Sequence, residues 1–291
     1  MWDARRRLAG LTLAGCGAIL CAGDDPPSAP PRGGAISAGT VSVEAGEPAK
    51  PVEYSFRLVE PPADQLDAGQ RVPLVVFLHG AGERGRDNQA QIKHFVRAAA
   101  ETEFQRSHPC FVLAVQCPSQ EWWAAIDLAA WRAHGESPHF AAQPTSAMQA
   151  VIQAMDQVMA GRPIDPDRVY LTGLSMGGFG SFDLAARRPE VFAAVVPICG
   201  GGDPQTAERI CHIPFFIVHG ADDPIVPVAL SQRMRDALTA AGATPRYQEP
   251  TGVGHASWGA AYSQTPGSAL EWMFEQKRVS AAAGEPSAAK Q

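Results

Sequence analysis

Arg168-Val169-Tyr170-Leu171-Thr172-Gly173-Leu174-Ser175-Met176-Gly177-Gly178 decides how the rest of the chain is read. Residues 168–172 carry apolar and β-branched side chains and suit a short strand. Residues 179–188 suit a helix. Between them stands Gly-x-Ser-x-Gly, a pattern that gains meaning from the order strand, tight turn, helix. Such a turn leaves no room for side chains at its flanks, hence Gly173 and Gly177. It lifts the Ser175 hydroxyl above the sheet edge. The helix behind it aims free backbone N–H groups at any anion that develops there. A glycine-rich turn that held a serine by accident would have no chemical partners elsewhere.

This serine has them. A hydroxyl is a poor nucleophile until a base takes its proton, and the base, a histidine, needs a carboxylate to orient it. The late histidine is His255, in Gly252-Val253-Gly254-His255-Ala256-Ser257-Trp258. The acids at a strand end are Asp222 and Asp223, in His219-Gly220-Ala221-Asp222-Asp223-Pro224. Asp223 is preferred because it directly precedes Pro224, where the loop turns. His212 reads as structural, at a strand start on the opposite sheet edge. His219 reads as a hydrogen-bonded loop residue. An oxyanion needs two backbone donors. One is the Met176 N–H, next after the serine. The other is expected in His79-Gly80-Ala81-Gly82, at Ala81, with Gly82 second.

Around this turn, apolar runs and helical spacings alternate. Strands are expected at 52–59, 72–78, 111–115, 192–198, 214–218 and 246–249, with helices at 91–104, 145–159, 228–241 and 269–277. The run at 72–78 is nearly all apolar, as in a strand buried on both faces. The alternation predicts an α/β architecture, a doubly wound and mostly parallel sheet in one domain. Ligands then bind at the carboxyl ends of the strands, where Ser175 falls. Residues 119–142, with Trp122, Trp123 and Trp131, form the longest candidate cover, so no large lid is expected. Trp122, Trp123 and Trp258 flank loops at the catalytic edge and are the candidate substrate-binding residues. The bland alternative is that they pack the loop bases.

The 291 residues are 45% hydrophobic and 19% charged, enough for one large core. Net charge is −6, and Arg5-Arg6-Arg7 is the sole basic cluster, so nucleic acid is not an expected partner. Residues 1–22 read as an export signal: three arginines, then the apolar and small residues 8–20. That run is shorter than the ~18–20 residues of a membrane span. Leu13-Ala14-Gly15-Cys16 is similar to a lipobox, which would lipidate Cys16 and anchor the protein to a membrane; cleavage near Ala22 is the other reading. Residues 23–51, rich in Pro, Gly and Ala, read as a tether, and 279–291 as a flexible tail. The catalytic domain is thus 52–278. Its four cysteines, Cys110, Cys117, Cys199 and Cys211, are expected as buried thiols. No metal-binding spacing occurs, and the serine chemistry requires no cofactor.

Leu78-His79-Gly80-Ala81-Gly82-Glu83-Arg84-Gly85, Asp87-Asn88, Gln116-Cys117-Pro118, Trp122-Trp123, Pro197-Ile198-Cys199-Gly200-Gly201-Gly202 and Gly254-His255-x-Ser257-Trp258 together resemble one branch of the α/β-hydrolase superfamily. It is the predicted-peptidase or phospholipase/carboxylesterase branch, with feruloyl- and acetyl-esterase-like neighbours. The resemblance spans about residues 52–277. It implies an α/β-hydrolase fold and the chain order Ser175, Asp223, His255 for a catalytic triad. It also implies a serine hydrolase; the absence of a large lid, the three tryptophans and the export signal add the expectation of a small or polysaccharide-linked carboxylic ester as substrate, and a monomer is expected. Two alternatives stay open: a serine peptidase of prolyl-oligopeptidase-like type, which the lack of a propeller domain places second, and a non-catalytic binding protein on this fold.

Overall fold

A computed structural model describes residues 33–126 and 138–278. The expectations for residues 1–22, Cys16, Ala22, Trp131 and the tail at 279–291 lie outside them.

Eight strands form one sheet in the order β1-β2-β4-β3-β5-β6-β7-β8. They are β1 (Ala35–Ala45), β2 (Lys50–Glu60), β3 (Val72–Leu78), β4 (Phe111–Val115), β5 (Ile164–Leu174), β6 (Ala194–Ile198), β7 (Phe216–Val218) and β8 (Arg246–Gln248). β1 and β2 pair antiparallel, and β2 joins β4 antiparallel. From β4 to β8 every pairing is parallel. Strand order reverses at β3, which lies between β4 and β5, so the crevice for a ligand opens at the carboxyl ends of β3 and β5. Register brings those ends level: Leu78 faces Gly173, and Leu174 faces Ile198.

β3 shows why the run at 72–78 is apolar on both faces. Leu74, Val76 and Leu78 pack with Met148, Val151 and Met155 of helix Ser146–Gly161 and with Phe182 of helix Met176–Arg187. Val75 and Phe77 pack on the other face with Phe95, Leu270 and Met273. Each face is a separate apolar cluster, so the sheet is covered on both sides, as a parallel sheet requires. Thr145 starts its helix with a side-chain cap, its hydroxyl accepting the Met148 N–H at 3.1 Å.

Two expectations fail. Part of the tether read at 23–51 is structure: β1 occupies Ala35–Ala45 and pairs with β2 over its whole length. Small residues hide the strand, since inward side chains become fully buried only at Val41 and Val43. Gly39 is also not a linker glycine. It stands opposite Phe56, whose ring fills the space a β-carbon would need, 2.2 Å from Cζ. The helix expected at 91–104 is broken into a 3₁₀ turn, Ala90–Ile92, and helices Phe95–Ala99 and Thr102–Ser107. Ile92, Phe95, Val96 and Ala99 are buried as the spacing required, but His94 takes φ 59° and interrupts the backbone ladder.

The turn at Ser175 is held by contact with β3. A β-carbon on Gly177 would lie 1.8 Å from the Leu78 carbonyl oxygen, and one on Gly173 would lie 2.4 Å from the Gly177 oxygen. Gly177→Ala is therefore expected to cost about 3 kcal/mol or more. Gly82→Ala adds a methyl that meets nothing within 4 Å and should stay within about 0.5 kcal/mol of wild type. Urea unfolding of the two variants measures the contrast, and equal stabilities would contradict this packing.

Candidate active site

Ser175 directly follows β5 and caps helix Met176–Arg187 with φ 55° and ψ −116°. A non-glycine residue rarely adopts such a conformation, and the strain is of order 1–3 kcal/mol. The surroundings enforce it. The Ser175 N–H donates to the Ile198 carbonyl at 2.9 Å, and its own carbonyl accepts the N–H groups of Gly178 and Phe179.

Three side chains from three loops meet here. His255 Nε2 lies 2.9 Å from Ser175 Oγ, and His255 Nδ1 lies 2.7 Å from Asp223 Oδ2. An ionised carboxylate is only an acceptor, so Nδ1 carries the proton. The Nε2 lone pair then faces the serine hydroxyl. Burial pushes the Asp223 carboxyl up, but the bonds from His255 and from the Val226 and Ile225 N–H groups outweigh it. The net direction is below the ordinary carboxylate range, so Asp223 is charged. Its Oδ1 accepts the Ile225 N–H at 2.8 Å and the Val226 N–H at 3.0 Å. Asp222 points elsewhere: it is exposed, and its Oδ2 accepts the Gly252 N–H at 2.8 Å. It thereby ties the acid loop to the histidine loop. Gly220 makes the second tie, since a β-carbon there would sit 2.3 Å from the carbonyl oxygens of Val253 and Gly254.

The expected oxyanion donors occupy suitable backbone positions. Met176 is the first residue of its helix, so its N–H has no intrahelical acceptor. Ala81 opens a 3₁₀ turn, Ala81–Glu83, whose hydrogen bond runs from the Glu83 N–H to the Gly80 carbonyl and leaves the Ala81 and Gly82 N–H groups outside it. A β-carbon on Gly80 would touch Leu174, beside the serine, at 2.8 Å.

Side chains outside the predicted set hold this loop. Arg84 donates to the Ala81 carbonyl at 3.1 Å and to the Glu121 carbonyl at 3.3 Å, and its guanidinium lies 5.0 Å from the Trp122 ring centre. Gln116 accepts the Asn88 N–H and donates to Asp87 and to the Glu83 carbonyl. The only sequence sign of these roles is their place in the motifs around 78–88 and 116–118. His79 is fully buried. Its Nε2 accepts the Cys117 N–H at 3.0 Å, and its Nδ1 donates to the Gly80 carbonyl. Burial lowers its pKa to about 4.

The three tryptophans separate. Trp122 is exposed and lines a cavity of about 620 Å³ with Gln120, Ile126 and Thr145. Trp258 is half-buried, its ring perpendicular to that of His255 at 5.7 Å and also against His94 at 5.3 Å. Trp123 departs from the expectation of a substrate-facing residue. It is fully buried, its indole N–H donates to the His79 carbonyl at 2.9 Å, and its Cβ is in contact range of Gly180. An indole in apolar packing with its one donor satisfied props the loop.

All four cysteines in the described residues are free, and Cys110, Cys117 and Cys199 are buried. Burial pushes the Cys199 thiol up to about 12. Cys199, Asp223 and His255 could bring ligand atoms within 4.8 Å of one another. A protonated, buried thiol and a histidine and carboxylate already bonded to each other make this a poor metal site. Among the described residues, no helix is long and apolar enough to cross a membrane.

A solved thermostable esterase superimposes with a TM-score of 0.70 at 38% identity, covering 83% of this chain and 63% of that one. NocK of Nocardia uniformis subsp. tsuyamanensis, which carries an esterase name, is 27% identical over 242 residues, 76% of this chain and 65% of that protein. Poly(3-hydroxyalkanoate) depolymerase C of Paucimonas lemoignei is 31% identical over 137 residues, 44% of this chain and 28% of that protein. The chain thus spans less than two thirds of the length of each.

Two outcomes test this geometry. Asp223→Asn should reduce turnover of an ester substrate by orders of magnitude, because the wrong imidazole tautomer cannot act as base. Asp222→Asn should change it less than about tenfold; equal losses would contradict the assignment. Stability should also fall with acid. His79 binds its proton near pH 4 in the folded chain and near 6.5 when unfolded, so between those values only the unfolded chain is protonated. Stability is full above pH 6.5 and falls by about 3 kcal/mol towards pH 4. Urea midpoints should follow that slope, and His79→Gln should flatten it.

The α/β-hydrolase phospholipase/carboxylesterase family model matches residues 65–264, more than half of the chain, and the chain belongs to that family.

Proposed function

We propose that this protein is an exported serine hydrolase that cleaves carboxylic esters through an acyl-enzyme. The observation that carries the reading is the continuous line Asp223–His255–Ser175, with two hydrogen bonds of 2.7 and 2.9 Å and a fixed imidazole tautomer. His255 Nε2 takes the hydroxyl proton as Ser175 Oγ attacks the ester carbonyl carbon. The carbonyl oxygen becomes an oxyanion between the Met176 and Ala81 N–H groups, each such donor lowering the barrier by about 3 kcal/mol. Asp223 balances the imidazolium. His255 then gives its proton to the leaving alkoxide, and the alcohol departs. Water enters by the same steps in reverse order and releases the acid.

The ester reading over the peptide reading is supported by the family's carboxylesterase description and by the 38% identity to an esterase. The acylaminoacyl peptidase of Pyrococcus horikoshii, with a TM-score of 0.57, shares 12% identity and supports the fold alone. For the substrate, Trp122 and Trp258 are the aromatic faces available to a sugar ring or an aryl acyl group. Feruloyl esterase D of Neurospora crassa, 33% identical over 82 residues, is named for such a group. This supports a modest acyl or aryl group on a small or polysaccharide-linked alcohol. Export rests on the basic residues 5–7 and the apolar run behind them, with lipidation at Cys16 and cleavage near Ala22 both open. Mature protein that keeps Met1 in the cytosol would contradict it.

Ser175→Ala and His255→Ala should each lower p-nitrophenyl acetate hydrolysis by at least about a thousandfold while the fold survives. Methyl ferulate and acetylated xylan should be cleaved by the wild type. Cleavage of aminoacyl-naphthylamides with every ester untouched would replace this reading by the peptidase. Unchanged turnover in folded Ser175→Ala would end it.

A further inference from the structure

His219 lies outside the catalytic line but not outside its chemistry. It follows β7, is fully buried, and its imidazole meets Asp223 beside that of His255. His219 Nε2 is 3.1 Å from Asp223 Oδ2, the same oxygen that accepts His255 Nδ1, and 3.0 Å from the Val226 carbonyl. Both neighbours of Nε2 are acceptors, so the proton of a neutral ring belongs on Nε2. Nδ1 then accepts the Ser231 hydroxyl proton at 2.7 Å, and the Gly200 carbonyl, 2.9 Å from Ser231 Oγ, is left as a competing acceptor for that one proton. Gly200 in turn abuts Gly178 at the serine turn, where a β-carbon would come within 2.6 Å of the Gly178 backbone. Burial favours the neutral ring by lowering the His219 pKa, against the bonds from Val226 and Asp223.

The Asp223 carboxylate therefore meets four donors. Two backbone N–H groups hold Oδ1; the two histidines share Oδ2. The backbone pair sits on its own loop and can pivot with it. His255, the group to be oriented, comes from a second loop, and His219 joins the carboxylate to helix Ala229–Ala240 through Ser231.

We infer that His219 is a positioning residue, holding Asp223 where it orients His255 and tying that carboxylate through Ser231 to helix Ala229–Ala240. The inference rests on the proposed triad. It assigns His219 no proton transfer to substrate.

Two amides of the same chemistry and different reach provide the test. In His219→Gln the amide nitrogen extends to the place of Nε2 and can donate to Asp223. In His219→Asn it reaches only the place of Nδ1. With p-nitrophenyl acetate, His219→Gln should keep kcat within about threefold of wild type. His219→Asn should lose about tenfold or more in kcat with KM nearly unchanged, the size expected for a misplaced catalytic group. In an Asp223→Asn background, His219→Asn should cost little more, since its target is already lost. Thermal melts of all variants identify any loss of fold, and the Gln variant, closest in shape and polarity, keeps the comparison available if Asn unfolds. Equal kcat for folded Gln and Asn variants would overturn the inference, as would a tenfold loss in Gln alone or full additivity with Asp223→Asn. Full activity in Asp223→Asn itself would instead bring down the triad on which it rests.

Discussion

The near-contact of backbone with backbone at the end of β5 is the constraint on which this structure depends. Gly177 sits against the Leu78 carbonyl, Gly173 against Gly177, and Gly178 against Ile198 and Gly200. No side chain fits between them. The turn can thus be tight enough to drive Ser175 into its strained conformation, and the sheet, not the loop, supplies the energy that keeps it there. The same contacts set the distance between β3 and β5 at their carboxyl ends, so the loop carrying Ala81 lies beside the serine as a consequence of strand packing. The proposed nucleophile and its proposed oxyanion pocket then come from one geometric fact.

Electrostatics completes what packing begins. Asp223 is a charge placed where burial would neutralise it, and it stays ionised because hydrogen bonds converge on both its oxygens. Its negative charge and acceptor character fix the proton of His255 on Nδ1. Rigid supports surround the three groups: Gly220 locks the acid loop to the histidine loop, Asp222 stitches the same pair from outside, and Arg84 and Gln116 hold the oxyanion loop. Preorganisation of this kind is what lowers a barrier, since nothing need reorient when charge develops.

Much of this was legible in the residues. Gly-x-Ser-x-Gly has a steric cause, and the order of strand ends dictates which acid and which histidine can reach it. Asp223 over Asp222 is expected from the turn at Pro224; Asp223 bonds His255, and Asp222 bonds the Gly252 N–H. The misses have equally physical causes. β1 is an edge strand of small residues paired on one side only, so its inward pattern is faint and Gly39 reads as linker when it is the seat of Phe56. The break at His94 lies in a dihedral angle, while the apolar spacing around it remains helical. Trp123 carries the same letters as Trp122, and only the fold shows that one indole is spent on the His79 carbonyl while its neighbour faces a cavity. The partnership of His219 with Asp223 depends on a ring orientation that no spacing encodes.

The central claim is that Ser175 is a nucleophile activated by His255. A fluorophosphonate probe, which reacts with an activated serine hydroxyl, reads this without any assumption about substrate. After labelling of the native protein and digestion, mass spectrometry should find one phosphonate adduct, on the peptide that contains Ser175, and none when His255→Ala is labelled under the same conditions. An unlabelled native protein, or a label on any other serine that persists in His255→Ala, would contradict the account.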